Sequence, residues 1–172
     1  MFDTRTVTLI INDHVLKIKA DIEENMKKYR RNASNRSVKS LKVETQEDGQ
    51  GHEHVILWGN SSFLVMERGR AGGRVPKSFY QIIRQWIIDK GIKVRQIPYK
   101  TDRPHKYTVK ERSLNIAAGV IAYNIMKYGT RLHRDQDFDD IFTSSIEREI
   151  EQMQQDIIFV ASLEVERIHQ TI

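Results

Sequence analysis

Residues 68–78, RGRAGGRVPKS, bring four lysines or arginines and three glycines together just ahead of a helix-like stretch. Glycines let a backbone bend so that its amides face an anion, and arginines grip phosphate or carboxylate through paired hydrogen bonds. The chemistry on offer is binding of a phosphate, a nucleic acid or a protein carboxylate. A nucleotide-hydrolysing phosphate loop is excluded by spacing. Counted from Gly72, Lys77 stands where that loop needs glycine and Ser78 where it needs lysine, and Pro76 lacks an amide proton.

The basic character does not stop there. Arg68, Arg70, Arg74 and Lys77 are followed by Lys93, Arg95, Lys100, Arg103 and Lys106, with Tyr80, Tyr99 and Tyr107 as stacking surfaces. From Arg68 to Arg112 thirteen lysines and arginines face three acids, whereas from Asp135 to Asp156 eight acids face Arg148 alone. A uniformly basic chain points to nucleic acid. A basic segment and an acidic segment on one small chain also suit head-to-tail self-association or docking on a charged partner.

Other candidate chemistry falls away. Asp135, Asp137, Asp139 and Asp140 crowd beside His133, but no calcium-loop or HExxH spacing accompanies them, and acids before a helix serve its N-terminal dipole. His52 and His54 alternate on a strand-like stretch without a third ligand. With no cysteine, thiolate zinc sites, disulfides and cysteine nucleophiles are excluded. No nucleophile elbow or dinucleotide turn appears, so the expectation is a non-enzymatic protein with no metal and no cofactor.

The elements that must position these residues follow from periodicity. Residues 5–11 read as a short strand or lead-in, and Asn12 or Asp13 as the N-cap of an amphipathic helix over about 13–33, with Val15, Ile18, Ile22, Met26 and Tyr29 on one face. LKVET, HEHVILWG and SSFLVMERG, separated by EDGQG and GNSS, predict an antiparallel meander over about 39–67. The nearly continuous apolar runs HVILW and FLVM imply that both faces of that sheet are covered.

A second helix is predicted over 78–90, capped by Ser78 and closed by Gly91, and residues 92–107 form a long basic loop. Thr108 and Glu111 predict a capping box opening a helix over 108–128 that Gly129 ends. A last helix spans about 139–155, and residues 156–172 fit helix and strand equally. The expected core lies where the two central helices meet: Ile83, Trp86 and Ile87 against Ala118, Ile121 and Ile125. The fold class is α+β, read as a single domain from the 172-residue length. The N-terminus has no signal-peptide pattern and no segment reaches about 20 apolar residues, so synthesis in the cytoplasm and no membrane partner are expected.

ERGRAGGRVPKSFYQIIRQWIIDKGI, residues 67–92, and NIAAGVIAYNIMKYGT, residues 115–130, resemble the neck, head–tail connector and tail-completion proteins of tailed bacteriophages. The resemblance spans roughly residues 55–150, and departs at Val75, Pro76 and Lys77, where two consecutive prolines are usual, and at the 92–107 insertion. It implies an α+β ring subunit at the head–tail junction of a virion, around the DNA exit channel, with copies of itself and other neck, portal-adaptor or tail proteins as partners. The basic set Arg68, Arg70, Arg74, Lys77, Lys93, Arg95, Arg103 and Lys106 then becomes the oligomer or channel contact, and Asp135, Asp137, Asp139, Asp140, Glu147 and Glu151 the acidic oligomer contact. The alternative expectation is a nucleic-acid-binding module built on residues 68–106.

Overall fold

The computed structural model describes residues 4–101 and 103–170. The fold is α+β: a two-stranded antiparallel sheet accompanied by helices. In chain order the elements are α1 (Thr4–Lys28), α2 (Arg36–Lys39), β1 (Lys42–Glu47), β2 (Glu53–Trp58), α3 (Ser62–Arg68), α4 (Phe79–Asp89), α5 (Val109–Tyr128), α6 (Arg131–Arg134) and α7 (Thr143–His169). Where the sequence reads as one domain, the contacts gather into two compact units: residues 1–67 with 139–172, and residues 68–138.

The first unit is organised by α1 and α7. Ile18, Ile22 and Met26 recur every fourth residue of α1 and are buried with Leu41, Phe63 and Ile141, while Leu57 of β2 and Ile146 of α7 pack around them. The two helices run antiparallel: Asn25 donates to the Ile141 carbonyl, Arg148 pairs with Asp21, and His14 reaches Asp156. Residues 5–11, expected as a strand or lead-in, are the first turns of α1, so Asn12 and Asp13 lie inside that helix rather than capping it. β-branched residues there suggest a strand, but a long partner helix rewards continued helix more than local propensity opposes it.

The meander loses its third strand. β1 and β2 pair from Lys42 opposite Trp58 to Glu47 opposite Glu53, with Asp48 accepting the Gln50 and His52 amides in the turn. SFLVMER, expected as strand, is α3: Phe63, Met66 and Glu67 share its inward face, whereas a strand would turn Val65 inward with Phe63 and Glu67. Leu64 and Val65 are left exposed on α3, so FLVM adds no strand to the sheet. The stretch left open between helix and strand continues as α7 to His169, and its Thr143 start replaces the expected 139.

The second unit is the α4–α5 pair. Ile83, Ile87 and Ala118 are buried, with Ile121 and Ile125 packed against them. Trp86, expected in this core, is 39% exposed. It precedes Ile87 by one position, about 100° around the helix, and with α5 as the partner of α4 only the Ile83–Ile87 line is covered. Thr108 and Glu111 form the expected capping box, and Gly129 ends α5. Ser78 stands at the N-cap of α4, but its side chain makes no capping bond. Residues 92–107 contain neither helix nor strand among the described residues, and the expected loop is well tethered: Arg112 donates to the Ile97 carbonyl at 2.6 Å, and the Ile97 amide donates to Ser113 Oγ at 2.8 Å.

Candidate functional site

Charge divides with the units. Residues 68–138 carry sixteen lysines and arginines against five acids, a net of +11; the other unit carries twelve against eighteen, a net of −6. Opposite net charge on the two compact units is the most distinctive electrostatic feature of the molecule.

The Arg/Gly loop belongs to the basic unit and is fixed to the end of α5. The Gly73 amide donates to the Met126 carbonyl at 2.6 Å, the Thr130 amide to the Arg70 carbonyl at 2.9 Å, and the Arg70 amide to Thr130 Oγ1 at 2.9 Å. The glycines make this closeness geometrically allowed. A Cβ on Gly72 would stand 2.7 Å from the Lys127 carbonyl oxygen, and Gly69 has φ +70° beside Thr130 and His133. These glycines therefore serve backbone packing rather than an anion cradle.

Of the expected basic contacts, Arg68, Arg74, Lys77, Lys93, Arg95, Arg103 and Lys106 are exposed. Arg70 is half-buried and works internally, donating to the Arg74 carbonyl and lying 5.4 Å from the centre of the Phe79 ring. In the 92–107 loop the Tyr99 ring stacks on His105 with centroids 3.4 Å apart and planes 5° apart, and the Arg112 guanidinium lies 4.6 Å from the same ring. Tyr99 also donates its hydroxyl to the Tyr107 carbonyl. A long basic loop is thus held in one shape around an aromatic pivot.

The expected acidic set is split. Asp135 and Asp137 lie in the basic unit, where Asp135 pairs with Arg131 at 3.0 Å and Asp137 accepts the Phe138 amide. Asp139 pairs with Arg31, and Asp140 accepts the Ser144 amide in the first turn of α7. Glu147 and Glu151 are exposed on α7, as are Asp135 and Asp137 in the basic unit. Among the described residues no group of three or more histidines and acids is arranged to hold a metal. His52 and His54 instead reach one carboxylate, Asp48 Oδ2, at 3.2 and 3.4 Å. The His52 and Gln50 amides, with smaller help from the two imidazoles, lower the Asp48 pKa to about 2.

Sequence reasoning missed a buried polar cluster in the acidic unit. His14 is 3% exposed, with Nδ1 2.9 Å from Glu149 Oε2 and Nε2 3.0 Å from Asp156 Oδ2. Only a protonated imidazole donates from both nitrogens. Burial pulls the His14 pKa down, but the bonds to Glu149 and Asp156 outweigh it and hold it above the ordinary value; nearby Lys17 opposes them. Glu149 is likewise pushed up by burial and brought below its ordinary value by His14 and Arg148. The sequence signal was present: His14 extends the Ile18, Ile22, Met26 line, and Glu149 and Asp156 stand seven residues apart.

The pH dependence has a definite sign. A raised histidine pKa contributes its full stability below the unfolded value of about 6.5 and loses it as pH climbs through the folded value. The lowered Glu149 contributes above its ordinary value near 4.5 and loses it as pH falls through the folded value. The cluster is therefore most stabilising between these ordinary values. His14→Gln, which can still reach one carboxylate, is expected to cost about 2 kcal/mol at pH 6. Urea titrations of both proteins across pH should show the two stabilities converging as pH rises; a constant gap would refute the charged-histidine assignment.

No family model matches the chain, and neither a curated protein nor a solved structure matches it.

Proposed function

We propose that the chain is a non-enzymatic virion structural protein, a subunit of a ring in the neck or tail of a tailed bacteriophage that joins head to tail around the DNA exit channel. The observation that carries this reading is the division of charge, +11 on one unit and −6 on the other. A subunit with two different, oppositely charged surfaces binds its like head to tail, and such heterologous contacts close into rings when the rotation fits. The resemblance of residues 67–92 and 115–130 to neck and tail-completion proteins supplies the setting. The partners are other copies and neighbouring neck, portal-adaptor or tail proteins.

A second reading, nucleic-acid binding by the basic unit, draws on the +11 charge and on the Tyr99–His105 stack within a fixed basic loop. Light scattering separates the two. The ring reading predicts multimers at low salt that fall toward the 20.2 kDa chain as salt shortens the range of charge attraction, unaffected by a short DNA duplex. A 20.2 kDa species that binds duplex at low salt and releases it at high salt would overturn it in favour of nucleic acid.

A further inference from the structure

Both unit-organising helix pairs leave an exposed line, apolar but for one charged residue, pointing away from their partner helix. On α5 the line is Ile116, Val120, Tyr123 and Lys127, at steps of four, three and four residues, opposite the buried Ala118 that faces α4. Val120 is 55% and Tyr123 53% exposed. Gly119 adds no bulk beside them, since a Cβ there would meet nothing nearer than Tyr80 at 4.0 Å. On α7 the outward line is Glu151, Ile158 and Val165, seven residues apart and therefore within about 20° of one another per step. It lies opposite the buried Glu149 that faces α1; Ile158 is 67% exposed, as is its neighbour Phe159 at 63%.

Two positions of each line match in charge and in spacing. Lys127 and Val120 are seven residues apart on α5, and Glu151 and Ile158 are seven apart on α7, each pair separated by about 10 Å of helix. Laid antiparallel, the helices bring Lys127 to Glu151 and Val120 to Ile158 together. We propose that α7 of one copy packs antiparallel on α5 of the next copy in this register. The inference rests on the ring reading above and names its contact. A second copy is the occupant because it alone carries both complementary lines, one on a unit of net +11 and the other on a unit of net −6.

The absence of native cysteine makes the contact directly testable. Val120→Cys and Ile158→Cys, purified separately, should form a disulfide-linked pair when mixed and oxidised, and far less product when either is oxidised alone. Glu151→Lys and Lys127→Glu should each reduce the low-salt multimer at least tenfold, and combining both in one chain should restore it. A wild-type multimer that resists both reversals and yields no mixed disulfide overturns this contact while leaving the ring reading intact. A wild-type chain that stays monomeric overturns both. If Lys127→Glu weakens duplex binding without changing the multimer, the α5 line belongs to nucleic acid and the contact is wrong.

Discussion

Glu67→Leu is expected to destabilise the acidic unit by about 3 to 4 kcal/mol, measured by urea unfolding followed by circular dichroism. Glu67 is fully buried at the end of α3. Its carboxylate accepts the Phe142 amide at 2.9 Å and the Thr143 hydroxyl, while its own carbonyl accepts the Asp139 amide at 2.9 Å. α7 has Phe142 at its N-cap position, a residue with no capping side chain, so Glu67 supplies from a distance what a serine or aspartate supplies locally. Leucine leaves two inward-facing donors without that acceptor and removes a negative charge from the positive end of a 27-residue helix. Glu67→Gln keeps the shape and one acceptor oxygen, and should recover about half of the loss. Equal damage from both substitutions would show that the negative charge, rather than the acceptor, holds α7.

Gly129→Ala is expected to cost the basic unit about 3 to 5 kcal/mol. Gly129 has φ +78° and ψ −178°, a region essentially restricted to glycine. A Cβ there would also stand 2.6 Å from the Arg70 carbonyl oxygen and 2.9 Å from the Gly72 nitrogen, and both are backbone atoms that cannot rotate aside. Gly73→Ala provides the control. Gly73 has φ +124° but open space around it, so only the conformational penalty applies, on the order of 1 to 3 kcal/mol and smaller than the loss at Gly129. Similar losses at the two positions would mean that the loop does not hold the contact with α5 described above.

Local signals were readable and distant ones were not. The Thr108–Glu111 capping box, the Gly129 stop and the Ile83–Ile87 stripe depend on residues within one or two turns, and they appear where spacing places them. α3 did not, because its helicity is decided by where Phe63 and Glu67 must go, information held by α7 some 75 residues later. His14 escaped for the same reason: its place on the Ile18, Ile22 and Met26 line marks it as inward-facing, but the two carboxylates that receive it lie more than 130 positions away. Trp86 lies on the apolar stripe that spacing marks as core, but α4 has α5 as its partner and only the Ile83–Ile87 side of the stripe is covered. For the candidate surfaces, the charge asymmetry was visible in composition. Its assignment to units was not: Asp135 and Asp137 belong with the basic residues they follow, and Asp139 begins the return to the acidic unit.

The two tryptophans acquire a practical meaning from their positions. Trp58, 50% exposed at the end of β2, lies in one unit, and Trp86, 39% exposed on α4, lies in the other. Indoles already in partial contact with water emit at long wavelength in the native chain, so unfolding shifts their spectrum little. Covering either one by another molecule shifts it to the blue. Single Trp58→Phe and Trp86→Phe variants therefore turn intrinsic fluorescence into a unit-by-unit optical reporter of what becomes covered, with no dye attached.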